Sequence, residues 1–365
     1  MFSRFARRAL AVSLLALPST AFAHGDEIHP GESIWAMFQF SPEIVIGLAI
    51  AAGLYIAGVR RGAAARPWRH LAFFGGLLAL ALALLSPIEP LADHVFAVHQ
   101  VEHMLLRTIG PMLILLSMPQ AALMRGFPDG MRSGVVGPIV SNGAVRTVFG
   151  FLSQPVVATV LFVGTTYFWM WPRYHDIAIL NVPIHYMWHV SLLVTGLFFF
   201  SVIFDPRSSP AGPRLGTRLG MFWLAAMGNI LLGAFLSFKT VPIYHAYDVM
   251  GRLFGLSAVA DEQIGGLTMW IPGCMMFAIS ALLILHKFGV DEERSDARRA
   301  RMGTAEAHRA ARAASAGRDN RAVAIGLGAF AMVVLLIAVS ASIFYEHELT
   351  PRAEAAAGVT TTPAG

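Results

Sequence analysis

The chain holds one cysteine, Cys274, in 365 residues. That excludes an intramolecular disulfide and any Cys-x-x-Cys metal or redox site. A metal would need His, Met, Asp, Glu or backbone ligands, and 13 His and 17 Met are present. Charge is also scarce. Asp, Glu, Lys and Arg make up 13% of the residues, against roughly 25% in a soluble domain. Lysine occurs only as Lys239 and Lys287. The period-two alternation of half-buried strands is missing, which excludes a β-barrel. No Walker loop, dinucleotide fingerprint or Ser-centred elbow stands in a fitting context, and no His-His dipeptide supports a membrane di-iron oxygenase.

What remains is apolar. The hydrophobic fraction is 56% and the mean hydropathy +0.61. A bilayer-spanning helix needs about 20 mostly apolar residues. Eight segments qualify: 42–59, 70–86, 94–117, 155–171, 183–204, 218–238, 264–286 and 322–345. The expected fold is an all-α, polytopic integral membrane bundle, with about seven core helices in 42–286 and an additional C-terminal one at 322–345. Residues 1–23 read as a signal peptide. Arg4, Arg7 and Arg8 precede a short apolar run, and Ala21-Phe22-Ala23 forms a small-x-small cleavage site. An extracytoplasmic segment (24–41), a basic cytoplasmic linker (287–321) and an extracytoplasmic tail (346–365) complete the division.

The formal charge of +5 does not point to nucleic acid, because the arginines sit in short loops between apolar runs. Loops 60–69, 118–154, 205–217 and 287–321, counted with their boundary residues, hold nineteen Arg or Lys. The intervening loops hold four: Arg173, Lys239, Arg252 and Arg352. This asymmetry predicts a bacterial inner-membrane protein with both termini outside the cytoplasm. The partners expected on this ground are membrane lipids.

Ionisable groups inside spanning helices are expensive and point to function. The third span carries His99-Gln100-Val101-Glu102-His103, and the fifth opens His185-Tyr186-Met187-Trp188-His189. Each pair is i,i+4, so its two imidazoles share a helix face. Under the topology above both pairs lie in the outer half of the membrane. Two such faces can meet in the bundle interior and hold copper or zinc, or the iron of a haem b. Met104 and Met187 adjoin the pairs but point to other faces. Glu102 lies beside the first pair, and Asp261 and Glu262 are expected at the outer mouth of span seven, orienting imidazoles or guarding the entrance. His94 and His245 gather on the same side. His175 and Asp176 fall in a loop with little sign of a role. Arg107, one turn below His103, is expected to pair with a carboxylate or with backbone carbonyls. His99 to His103 also fits H-x-x-E-H, the inverted zinc-protease pattern, which leaves an intramembrane zinc hydrolase as an enzymatic alternative.

Three segments in order, His99 to Leu106, His185 to His189 and Asp261 to Gly273, resemble the polytopic CtaG family of cytochrome c oxidase assembly factors, associated with caa-type oxidases. The resemblance covers about residues 40–290. It implies a non-enzymatic factor that matures a haem–copper oxidase by supplying copper to its outward-facing centre. Its partners would be an oxidase subunit or copper-delivery chaperones. Carried over by position, the motif residues are His99, Glu102, His103, His185, His189 and Asp261. Two departures stand out: the eighth span with its basic linker, and Glu262 where glutamine is expected. With no thiolate available, imidazole would hold the copper, and metal should leave as pH falls through about 6.5.

Overall fold

The computed structural model describes residues 38, 41–63, 65–207 and 211–301. The signal peptide, most of the 24–41 segment, the eighth span and the C-terminal tail lie outside the described residues, as does most of the basic linker. Two compact units are present, Met1–Ile284 and Leu285–Gly365. In the second, the described stretch 285–301 is helical.

Fifteen α-helices and two π-helical turns make up the described chain, which contains no strand. In order they are α1 (Pro42–Arg60), α2 (Pro67–Leu85), α3 (Ile88–Ala92), α4 (Phe96–Met104), α5 (Gly110–Leu116), α6 (Gln120–Gly126), α7 (Asp129–Met131), α8 (Gly137–Ser141), α9 (Gly143–Leu152), α10 (Pro155–Trp169), α11 (Pro172–Ile179), α12 (Val182–Ile203), α13 (Leu215–Phe238), α14 (Ala246–Met250) and α15 (Ala258–Arg301). Proline starts many of them. Its fixed φ suits the first turn, and its missing N–H is not needed there. Pro42, Pro67, Pro155 and Pro172 sit at such positions.

Five helices are long and apolar enough to cross a membrane: α1, α2, α12, α13 and the Ala258–Val290 part of α15. Two bent pairs raise the number to seven if each is one span. The first is Phe96–Leu116 with Gln120–Gly126, bent by 80°. Pro119 stops the helix there, and Met118 turns the chain with a left-handed φ of 54°. The second, Asp129–Ser141 with Gly143–Leu152, is bent by 62° and corrects the reading of 118–154 as a loop. Its apolar residues, among them Val135, Ile139, Val148 and Phe151, are exposed on the helix surface. The eye reads them as dispersed because Gly and Pro interrupt the run. Helix α10 has 15 residues and falls short of the crossing length.

The outer face carries large apolar side chains, including Leu71 (77% exposed), Val156 (73%) and Leu231 (61%). The interior is the more polar side at one end, where His, Glu, Asp, Tyr and Arg are buried. That inversion suits a solvent of lipid tails. These are the helices of a multi-pass membrane protein.

Small residues let the backbones approach. A Cβ on Gly196 of α12 would lie 2.3 Å from the Arg107 carbonyl oxygen. Arg107 belongs to the first π-turn, Leu105–Ile109, directly before Gly110-Pro111. The ring of Pro111 removes the N–H that would bond the Arg107 carbonyl and crowds that carbonyl. The helix widens there, and Gly196 brings α12 onto the freed carbonyl. The second π-turn, Arg132–Val136, precedes Gly137-Pro138 in the same way.

Candidate metal centre

The two histidine pairs meet. One ligand nitrogen from each of His99, His103, His185 and His189 lies within 4.8 Å of all the others. Imidazole centroids are 4.1 Å apart for His99–His103 and 4.4 Å for His185–His189. Across the helices they are 5.3 Å for His99–His185 and 5.4 Å for His103–His189. His99, His103 and His185 are buried, and the His189 side chain keeps 11% of its surface. A tetrahedral ion with bonds of about 2.0–2.1 Å sets its nitrogens about 3.3 Å apart. From separations of up to 4.8 Å, closing on an ion takes side-chain movement of up to about 1.5 Å. Four imidazoles without thiolate suit copper or zinc.

The hydrogen-bond chain behind His99 fixes its proton. His175 Nδ1 lies 3.2 Å from the Trp169 carbonyl, so it donates there. Burial pushes the His175 imidazole down to about 3, so it is neutral. Its Nε2 therefore accepts, from the Tyr247 hydroxyl at 2.8 Å. With its proton committed, that hydroxyl accepts from His99 Nδ1 at 2.7 Å. The Nε2 lone pair of His99 is left facing the cluster, 2.8 Å from His103 Nε2. A second partner that sets the tautomer of a ligand histidine is a recurrent feature of metal sites. Trp188 packs its ring 4.5 Å from His103 and 4.9 Å from His99 and fixes both rotamers.

Carboxylates flank the other side. Glu102 is fully buried, with Oε1 3.3 Å from His189 Nε2. Asp93 Oδ1 lies 3.6 Å from His185 Nδ1. Asp93 and Glu89 lie between the second and third spans. Burial raises Asp93 to about 7, and burial together with Asp93 raises Glu89 to about 8.

Asp261 and Glu262 lie in the interior. They are 1% and 0% exposed and bind backbone. Asp261 accepts from the amides of Phe96 at 2.9 Å and Ala97 at 3.0 Å, capping the helix that carries His99. It also pairs with Arg252 at 2.6 Å. Glu262 accepts from the amides of Ile243 and Tyr244 and pairs with Lys239. Together they hold the 239–257 loop down, and Tyr244 and Tyr247 of that loop close the site. His94 and His245 are outside the cluster. His94 Nδ1 bonds the Gly251 carbonyl at 2.8 Å, and His245 is exposed. Asp176 caps α14 through the amides of His245 and Ala246. The Arg107 guanidinium lies 3.8 Å over the Phe162 ring, not on a carboxylate.

Sequence reasoning missed His175, Tyr247 and Asp93. The only signal was composition: two tyrosines and a loop histidine on the side where the ligand pairs lie. Replacing Tyr247 by Phe keeps the ring against Phe96 and His175 but removes the relay. The expected result is a metal affinity about 10- to 100-fold weaker, as for other lost outer-shell partners. Competition titration against a chelator of known affinity, with the thermal transition as a fold control, reads it.

Residues 53–288 match the family model described as Cytochrome c oxidase caa3 assembly factor (Caa3_CtaG). Uncharacterized proteins of Mycobacterium bovis and Mycobacterium tuberculosis are each 27% identical over 238 residues. One of Mycobacterium leprae is 27% identical over 236. In each case the match covers 62% of this chain, which spans about a third (35%) of the length of these curated relatives. No solved structure matches the chain. With more than half of its length matched, including both histidine pairs and Asp261, the chain belongs to the caa3-type cytochrome c oxidase assembly factor family.

Proposed function

We propose that this protein handles copper for haem–copper oxidase assembly, binding it at His99, His103, His185 and His189. The supporting observation is that four imidazole nitrogens from two helices converge within 4.8 Å at one end of the bundle. Imidazole binds both oxidation states of copper. Buried Glu102 offsets part of the ion's charge. Four imidazoles converging on one point suit a single small ion better than a haem b carrier, which needs only two axial ligands. Glu102 lies against His189, at 3.3 Å from its Nε2, rather than facing an open position for water, which disfavours a zinc hydrolase. The protein therefore acts without turnover, in the bacterial inner membrane, with the histidine end facing outward. Its partners are an oxidase subunit or the chaperones that carry copper to it.

A deletion strain tests the reading. The oxidase it assembles should lose copper and activity. Wild type should restore both, and a chain carrying His185→Ala and His189→Ala should restore neither at equal membrane abundance. Full restoration by the double variant would sink the proposal.

A further inference from the structure

Beneath the histidine cluster lies a cavity of about 30 Å³. Gln100, His103, Arg107 and Trp188 line it, with Met104 and Asn229. Four nitrogens on its lining residues share one character. Nε and Nη2 of Arg107, Nε2 of Gln100 and Nε1 of Trp188 are buried with no hydrogen-bond partner. All four are donors. Arg107 is 6% exposed, Gln100 3% and Trp188 0%. Among the described residues no carboxylate forms an ion pair with Arg107. A guanidinium stays protonated in proteins, so a full positive charge is buried here with only an aromatic face against it.

Leaving a charge and two neutral donors unsatisfied in a low-dielectric interior is strongly unfavourable. Water does not resolve it. About two waters fit, since about 10–15 Å³ suffices for one, and their lone pairs can meet these donor nitrogens, but water carries no net charge to offset the cation. A monatomic anion accepts from every side and neutralises Arg107. The structure lacks any acidic side chain in the wall that would repel it.

We propose that this cavity is a halide site, filled by chloride, held by Arg107 with Gln100 and Trp188. Arg107 carries its charge whether or not a metal is bound, so the site stands independently of copper. The π-turn that Pro111 imposes turns Arg107 inward, and Gly196 holds α12, with Trp188, against it.

The full chain, purified in detergent without chloride, tests this. Sodium chloride or bromide is titrated against sodium gluconate at constant ionic strength, and the melting temperature is followed. Crystals grown in bromide are measured at the bromine absorption edge. The expected result is a saturable rise with halide and not with gluconate, and a bromide peak beside Arg107. Trp188→Phe removes one charge-assisted donor and should raise the halide midpoint about tenfold; Arg107→Gln should abolish the rise. If Arg107→Gln does not fold, the shift in Trp188→Phe decides. A rise common to gluconate, a cavity holding only water, or an unshifted midpoint in Trp188→Phe overturns the proposal.

Discussion

Asp261→Ala should destabilise the protein by about 3–5 kcal/mol, the range for removing one partner of a buried ion pair. The Asp261 carboxylate is 1% exposed and does two jobs at once. One is to neutralise Arg252, whose side chain is only 9% exposed. The other is to cap α4 through the Phe96 and Ala97 amides, a role worth about 1 kcal/mol alone. Arg252 keeps half-exposed Asp248 at 2.6 Å, a pairing that is screened, and fully buried Glu262 at 3.8 Å. The loss should therefore fall short of the full sum of both terms. Asp261→Asn separates the two contributions in part: its single amide oxygen can accept from one of the two α4 amides, which Asp261 meets with different oxygens, and it carries no charge. It should recover only a fraction of the capping contribution. Thermal unfolding in detergent measures both variants. Because α4 carries His99 and His103, metal retention should fall together with stability in Asp261→Ala. A melting temperature equal to wild type would show that Arg252 and α4 do not depend on this carboxylate.

The second large effect is on metal content. His99→Ala with His103→Ala should take the purified protein from about one copper per chain to none. Two imidazoles of four are lost, and the remaining pair leaves an ion two-coordinate in a partly buried place. Elemental analysis after copper loading and desalting reads the outcome. Visible absorption of the same samples tests the competing chemistry: a Soret band lost in the variant would make the site a haem ligand pair. Copper retained at wild-type level in the variant would place the metal elsewhere. Zinc in place of copper in wild type would favour hydrolysis, and Glu102→Gln would then be the informative variant.

Much of the site was legible in the chain because helical periodicity is local. His99 with His103, and His185 with His189, share a face by spacing alone. The cost of burying imidazoles in a membrane makes such faces seek each other. The membrane class was equally plain, since composition and run length need no tertiary information. The segment 118–154 was misread because Gly and Pro break its apolar character into pieces shorter than a span. The bends of 80° and 62° are set by packing and local turns, not by hydropathy.

The partners that shape the site are a different matter. Tyr247 reaches His99 across 148 residues, His175 meets Tyr247 across 72, and Asp261 caps Phe96 across 165. No local pattern encodes these contacts. Asp261 in the first turn of its own helix satisfies a sequence rule by itself, which concealed that its oxygens serve another helix. By itself the sequence determined the solvent this protein folds in, the helices it forms and the four imidazoles it aligns, because those follow from composition and a 3.6-residue repeat. Only the tertiary structure decided which nitrogen of His99 faces the cluster, what holds α4 in place and why Arg107 is buried among donors. Those depend on side chains far apart in the chain meeting in a low-dielectric interior, where every proton and charge must find a partner.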